Sequence, residues 1–406
     1  MNRFNLALRR KPPRLALLVW ITISGTMPIH IFVPALPAVA AYFQASAGAV
    51  QLTITVYIIG LAVGQLIYGP LSDRYGRRPV LLIGLTAYTV ATLAAAFAGS
   101  LEMFVLDRVA QALGGCAGMV MGRTIARDNV TGHDAIGRLA KLLVAMSLTP
   151  ALAPILGAQL SVHFGWRSIL YVMSVANVLM LVVAYLTLAE THHSRGTRTA
   201  REYATSYFHL LRSRVFVAYG IGGAAGTTSF FAFVSASPFV LVEELGVSTQ
   251  VFSLIYVMII AGNTLGAVCA NHLSRRVKEE VALRIGGMML LGSMVVAAAA
   301  YATGLISVPV ITLTMMVFVF GGGITSPFAM AGASNIEPAY AGAAQGLFGF
   351  FQMTYAALCT AIIAAGSAHP TRTMIATLLA SSIISIVAFE YARRVRRTRV
   401  VAVPAE

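Results

Sequence analysis

Apolar residues in this chain run in long blocks rather than in alternation. Twelve blocks stand at 15–36, 51–71, 79–98, 102–125, 138–161, 166–188, 215–241, 250–271, 282–303, 308–331, 342–366 and 372–391. Each is close to the ~20 residues that a helix rising ~1.5 Å per residue needs to cross a ~30 Å hydrocarbon layer. They are rich in Ala, Leu, Val and Gly and show no period of two, which predicts helices and not the strands of a membrane barrel. Short polar pieces separate the blocks, except for a longer connector at 190–214. The predicted fold is an all-α integral membrane protein of twelve transmembrane helices in two pseudo-symmetric six-helix bundles. The bundles span 1–189 and 215–392, with a cytoplasmic connector at 190–214 and a basic cytoplasmic tail at 393–406. The first block follows Arg9-Arg10-Lys11 and precedes Ala38-Val39-Ala40, the outline of a cleavable signal. Its length and the eleven blocks after it make it a retained helix.

The halves echo one another. Gly64 and Leu71-Ser72-Asp73-Arg74 recur as Gly266 and Leu273-Ser274-Arg275-Arg276 at a constant offset of 202, and Pro34 has a counterpart in Pro238. Transporters are built from such repeats, with the substrate held between them near the mid-plane of the bilayer.

Composition removes the soluble alternatives. Of 406 residues, 58% are hydrophobic and only 11% are charged, too few to cover a water-exposed surface. The net charge of +15 would suggest nucleic acid in a soluble chain. Its placement says otherwise. With the N-terminus in the cytoplasm, 26 of the 29 Lys and Arg fall in cytoplasmic segments. Arg167 and Arg372 fall on the other side, and Arg108 lies inside a span. The positive-inside rule then puts both termini in the cytoplasm of a cell whose inner membrane holds the protein. No nucleic-acid partner is expected, and the lipid bilayer is. Cys116, Cys269 and Cys359 all lie in spans without metal-ligand spacing, so they are read as packing residues.

Chemistry concentrates in three places. The segment between spans 2 and 3 reads Gly69-Pro70-Leu71-Ser72-Asp73-Arg74-Tyr75-Gly76-Arg77-Arg78-Pro79. Its glycines allow close approach and a tight turn. Asp73, set among Arg74, Arg77 and Arg78, is placed to pair locally or to cap a neighbouring helix through its dipole. The alternative is a plain basic anchoring loop. This pattern resembles the signature loop of the major facilitator superfamily. The resemblance implies gating roles for Gly69, Asp73, Gly76, Arg77 and Arg78, with a charge relay to Asp128. The second copy has Arg275 where the first has Asp73, so the second half is expected to lack the full latch.

Span 4 contains Asp107-Arg108-Val109-Ala110-Gln111-Ala112-Leu113-Gly114. A charge inside a span costs at least ~2.5–3.5 kcal/mol on insertion scales, so it must face a cavity or a partner. Arg-x-x-Gln-x-x-Gly is similar to the family's span 4 motif, which implies proton transfer; Asp107 is not part of that motif. Span 5 carries Pro150-Ala151-Leu152-Ala153-Pro154-Ile155-Leu156-Gly157. It is similar to the family's antiporter motif in the variant of the bicyclomycin and chloramphenicol resistance (Bcr/CflA) branch of drug:proton antiporters. A simple packing kink is the alternative. In span 1, His30-Ile31-Phe32-Val33-Pro34-Ala35-Leu36-Pro37 fits that branch, except that His30 stands where an acid is usual. An unperturbed imidazole titrates near 6.5. With the spans bounded as above, His30 and Arg108 lie at similar depths, about six residues from their outer ends. His30 and Asp107 are therefore expected to share proton-linked duty, tuned by Arg108. The alternative for His30 is a backbone hydrogen bond. Further cavity candidates are Tyr57, Gln111, Asn263, Gln352 and Tyr355, with Phe230, Phe233 and Phe351 as an apolar wall.

The function implied is a secondary transporter that exports small amphipathic, drug-like compounds by proton antiport. It would use no cofactor beyond protons as coupling ion and would act as a monomer. Export of a metabolite such as an amino acid or sugar is a second reading. A membrane-embedded enzyme is a third, disfavoured because the chain has no His-Glu-x-x-His, Gly-x-Ser-x-Gly or Walker loop.

Overall fold

The structure, a computed structural model, describes residues 14–128, 133–191, 200–337 and 340–401. For residues 127, 133–148, 200, 201, 203, 341 and 397–401 it describes the backbone alone. Arg3 to Lys11, Arg195 and Arg198, counted above toward the charge asymmetry, lie outside the described residues, as do the side chains of Arg138 and Lys141.

The described residues form helices and no strands. The elements are α1 (Leu15–Ile23 with Met27–Phe43), α2 (Ala47–Tyr75), α3 (Arg77–Ala96), α4 (Leu101–Arg127), α5 (His133–Phe164) and α6 (Arg167–Thr187). The connector helix α7 (Ala200–Arg212) follows. Then come α8 (Arg214–Glu244), α9 (Thr249–Leu273), α10 (Glu279–Ala302), α11 (Val308–Ser334), α12 (Ala341–Ala365) and α13 (Pro370–Val401). Among the described residues ten helices are long and apolar enough to cross a membrane, and eleven if the two parts of α1, bent by 56°, count as one span. The helix α5, with 32 residues, occupies the place of the remaining predicted span. Large apolar side chains face outward, such as Ile83, Leu106 and Leu186, as a lipid solvent allows.

Two differences from the sequence reading have clear causes. The first helix does not end at 36 but runs to Phe43. Its prolines do not stop it because each sits at the start of a helical piece: Pro28 in Met27–Phe32, Pro34 in the 3₁₀ turn Val33–Ala35, and Pro37 in Leu36–Phe43. There the missing N–H would have had no partner. The last helix likewise continues past its apolar block to Val401, so most of the expected tail is helical.

Packing shows the pseudo-symmetry. In the first half α2 lies on α4, α3 on α4, and α3 on α6; in the second, α9 lies on α11, α10 on α11, and α10 on α13. Across the halves α2 packs on α12 and α5 on α9, two contacts that a two-fold axis exchanges. The echo at offset 202 has a physical origin here. Gly60 and Gly64 bring α2 against Ala112 and Cys116 of α4, while Gly262 and Gly266 bring α9 against Met316 and Phe320 of α11. Small residues four apart permit this close helix approach in lipid.

Candidate functional site

The two ends of the molecule differ. One, the loop end, carries the junction of α2 with α3 and the connector helix α7. The other is the far end.

At the far end the halves are joined by side chains. His30 Nδ1 on α1 lies 3.0 Å from the Tyr256 hydroxyl on α9. Gln51 on α2 donates to the Ser235 carbonyl of α8 at 3.2 Å, and Thr55 on α2 donates to Thr360 on α12 at 2.9 Å. Gly48 of α2 abuts the Ala364 carbonyl of α12 so closely that no side chain would fit. Ser235 sits just before Pro238 and a π-helical turn, Phe239–Glu244, a rare geometry that marks functional bends. Toward the loop end Gln65 still reaches the Gly349 carbonyl at 3.3 Å.

Below this seal is a cavity of about 180 Å³. It is lined by His30 and Pro150 from the first half and by Thr227, Phe230, Phe231, Ile260, Asn263 and Phe318, among others, from the second. The expected residues His30, Pro150, Phe230 and Asn263 thus meet at one place. Phe233 is fully buried behind the wall, stacked on Phe230 and Tyr256 at 5.7 and 6.0 Å between centroids. Gln352 donates to Thr227 at 3.0 Å and so braces the cavity from α12. Phe351 packs on Gly220, and the Tyr355 hydroxyl donates to Ser381 at 3.0 Å; both are packing residues of the second half. A larger apolar recess of about 740 Å³ between α3 and α6 faces outward, lined by Ile83, Val90 and Leu186, and is a lipid groove.

The expected trio of His30, Asp107 and Arg108 is not assembled as read from the sequence. Arg108 is fully buried, yet it has no carboxylate partner among the described residues. Its guanidinium lies over the rings of Tyr57 at 4.3 Å and Phe32 at 5.3 Å and donates to Gln111 at 2.6 Å and to the Pro28 carbonyl at 3.4 Å. Gln111 passes the network to Thr92, which also receives Asn177. Tyr57 donates to the Gly25 carbonyl at 2.9 Å and serves this network rather than lining the cavity. Desolvated cation–π contacts of roughly 2 kcal/mol each, together with the arginine's hydrogen bonds, offset part of the cost of burying the charge. Asp107 shares a heptad position with Gly114, which packs on Gly84 and Tyr88 of α3. It therefore faces away from His30.

The span 5 signature works by contact. Pro150 and Pro154 lie inside the continuous helix α5. Gly157 is pressed onto the Ile31 carbonyl of α1, where any Cβ would overlap the oxygen. This glycine fixes the backbone beside His30.

The segment 69–79 is less of a loop than predicted. Residues 69–75 belong to the last turns of α2, and Gly76 alone makes the turn, at φ 97°. A side chain added at Gly69 would meet open space, so that glycine serves no close approach to another helix here. Asp73 and Ser72 both accept from Arg77, whose Nε also lies 3.5 Å from Asp128 Oδ2. The cap of α3, left open between two readings for Asp73, is made by Glu190. Its carboxylate accepts from the backbone N–H of Arg77 and Arg78 at 3.0 and 3.1 Å. A carboxylate at a helix N-terminus contributes ~0.3–1 kcal/mol, and up to ~2 when partly buried. Arg78 donates in turn to the carbonyls of Leu188 and Tyr185 at 2.8 Å. Arg74 lies over the ring of Tyr75 at 5.2 Å. On α7, burial and the Asp73 carboxylate raise the Tyr207 phenol above its ordinary value, so it stays neutral. His209 of α7 lies 2.7 Å from Glu337. In the second half Glu279, at the start of α10, accepts from Tyr219 and lies 3.6 Å from Arg396, a partial counterpart of the first cluster.

Tyr256, Gln51, Ser235, Thr360 and Glu190 escaped the sequence reading. Depth offers a signal for one of them: Tyr256 lies seven residues into α9, as Arg108 lies seven residues into α4. The others have no local mark.

Two pseudo-symmetric helical halves with a cavity between them define a transporter of the alternating-access kind. The family model described as Major Facilitator Superfamily matches residues 18–360, and the chain belongs to that superfamily. It is 29% identical over 338 residues to Multidrug resistance protein D of Escherichia coli, covering 83% of this chain and 85% of the relative. It is 31% identical over 275 residues to a Chloramphenicol resistance protein of Pseudomonas aeruginosa, covering 67% and 65%. That name bears out the branch to which the span 1 and span 5 segments point. The crystal structure of a D-xylose-proton symporter shares the fold, with a TM-score of 0.73, 17% identity and coverage of 93% and 95%.

Proposed function

We propose that this protein is a secondary exporter that moves small amphipathic aromatic compounds out of the cell across the inner membrane, in exchange for protons. The observation that carries this reading is the aromatic cavity at the junction of the halves, closed at the far end by hydrogen bonds that cross between them. Multidrug and chloramphenicol resistance relatives support it. A wall of phenylalanines suits such compounds better than a sugar, whose hydroxyls each demand a polar partner. The loop end is the cytoplasmic end, with both termini, because it carries the arginines. Residues 1–189 and 215–392 rock as two bodies about the cavity, and 190–214 links them. The protein works as a monomer and needs no cofactor.

His30 is the coupling group. It touches the cavity and, through Tyr256, the seal, so a proton on the imidazole changes the hydrogen bond that holds the far end closed. A proton arriving from outside and a substrate arriving from inside then bias opposite states by differential affinity. Everted vesicles with an imposed pH gradient test the reading. Addition of a transported aromatic compound is expected to collapse the gradient in vesicles carrying the protein and not in control vesicles. No compound-dependent proton movement across a broad panel would sink it.

A further inference from the structure

The cavity wall has a particular electrostatic character, and the following inference rests on the export reading above. The lining offers an imidazole, an amide, a hydroxyl and phenyl rings, and none of its residues is a carboxylic acid. The chain has fourteen acids. Twelve stand at the ends of the apolar blocks or in the segments between them, and Glu406 stands in the tail after the last block. The fourteenth, Asp107, lies in the second turn of α4 on the side that packs against α3.

The charge buried beside the His30 segment is positive. Arg108 grips Pro28 and Phe32, two residues to either side of His30. It makes no ion pair among the described residues. A cation stripped of water here would find no counter-charge in the lining, and what a desolvated ring face returns falls short of what desolvating an ion costs. Phe230 is in any case already stacked on Phe233.

We propose that this site is charge-selective: it takes uncharged aromatic compounds of one or two rings and turns away organic cations of the same size. A space of about 180 Å³ has room for at least one aromatic ring, since an apolar cavity of ~150 Å³ takes benzene. Asn263, exposed on the cavity wall, is the position where one added carboxylate would reverse the preference.

The test uses the full-length protein in everted vesicles with an imposed pH gradient. Gradient-dependent uptake is measured for chloramphenicol as the uncharged probe and 1-methyl-4-phenylpyridinium as the cation. The expected result is uptake of the first and, for the second, uptake at least about tenfold lower. In Asn263→Asp, pyridinium uptake is expected to rise about tenfold, with normal membrane insertion and an unchanged melting temperature of the purified variant reporting a folded protein. Pyridinium uptake by the parent protein equal to that of chloramphenicol would overturn the charge selectivity and leave the export reading standing. Unchanged pyridinium uptake in a folded Asn263→Asp would overturn it as well. Gradient-independent behaviour of both probes would instead count against export itself.

Discussion

At the scale of single residues, the molecule handles buried polarity in two ways. His30 shares one hydrogen bond with Tyr256 across the halves, and Arg108 is wrapped by rings and amides within one half. A net hydrogen bond is worth about 0.5–1.5 kcal/mol. Tyr256→Phe should therefore shift the balance toward the far-end-open state by roughly two- to tenfold. Labelling of a cysteine placed at the far end would read that shift, and unchanged labelling would show that the bond does not hold the seal. His30→Ala should additionally weaken the dependence of exchange on an imposed pH gradient, measured as compound-driven proton movement in everted vesicles. Unchanged coupling there would remove His30 from the proton path. Arg108→Lys keeps the charge but loses the planar group that stacks on Tyr57 and reaches Gln111. Transport should fall about tenfold or more, with the protein still inserted in the membrane.

The elements add constraints that no single residue carries. Gly157 and Gly69 are both signature glycines, yet their surroundings are opposite: one is pressed on the Ile31 carbonyl and the other has open space around it. Gly157→Val should lower the melting temperature of the purified protein by several degrees and suppress transport, because α5 must move off α1 beside His30. Gly69→Ala should be tolerated and slightly stabilising, by about 0.5–1 kcal/mol, since the residue lies inside a helix. The reverse order of effects in a thermal-shift comparison would contradict this packing. The paired glycines of α2 and α9 show why a sequence echo and a structural repeat coincide: the same helix approach recurs, so the same small residue is required.

For the whole molecule, the far-end seal and the cavity beneath it are the two parts of one device. A cysteine pair at Thr55 and Thr360, in a background without the native cysteines, should cross-link through a short thiol reagent and stop transport reversibly. Transport that continues at full rate after complete cross-linking would mean that the far end need not open.

The fold class was legible in the sequence because a bilayer permits few solutions: a chain of ~20-residue apolar blocks must form helices that satisfy their own backbone. The arginines fixed the expected orientation, and local patterns marked Gly76, Asp73, Arg77, Arg108, Pro150 and Gly157 in advance. Which side chains face one another was not legible. Rotation of each helix about its axis separates Asp107 from His30 and gives His30 to Tyr256, 226 residues away. Glu190 became the cap of α3 only because α6 ends beside it. Spacing along one helix is a local property that sequence states directly. Contact between helices depends on depth, rotation and crossing together, and packing alone decides those.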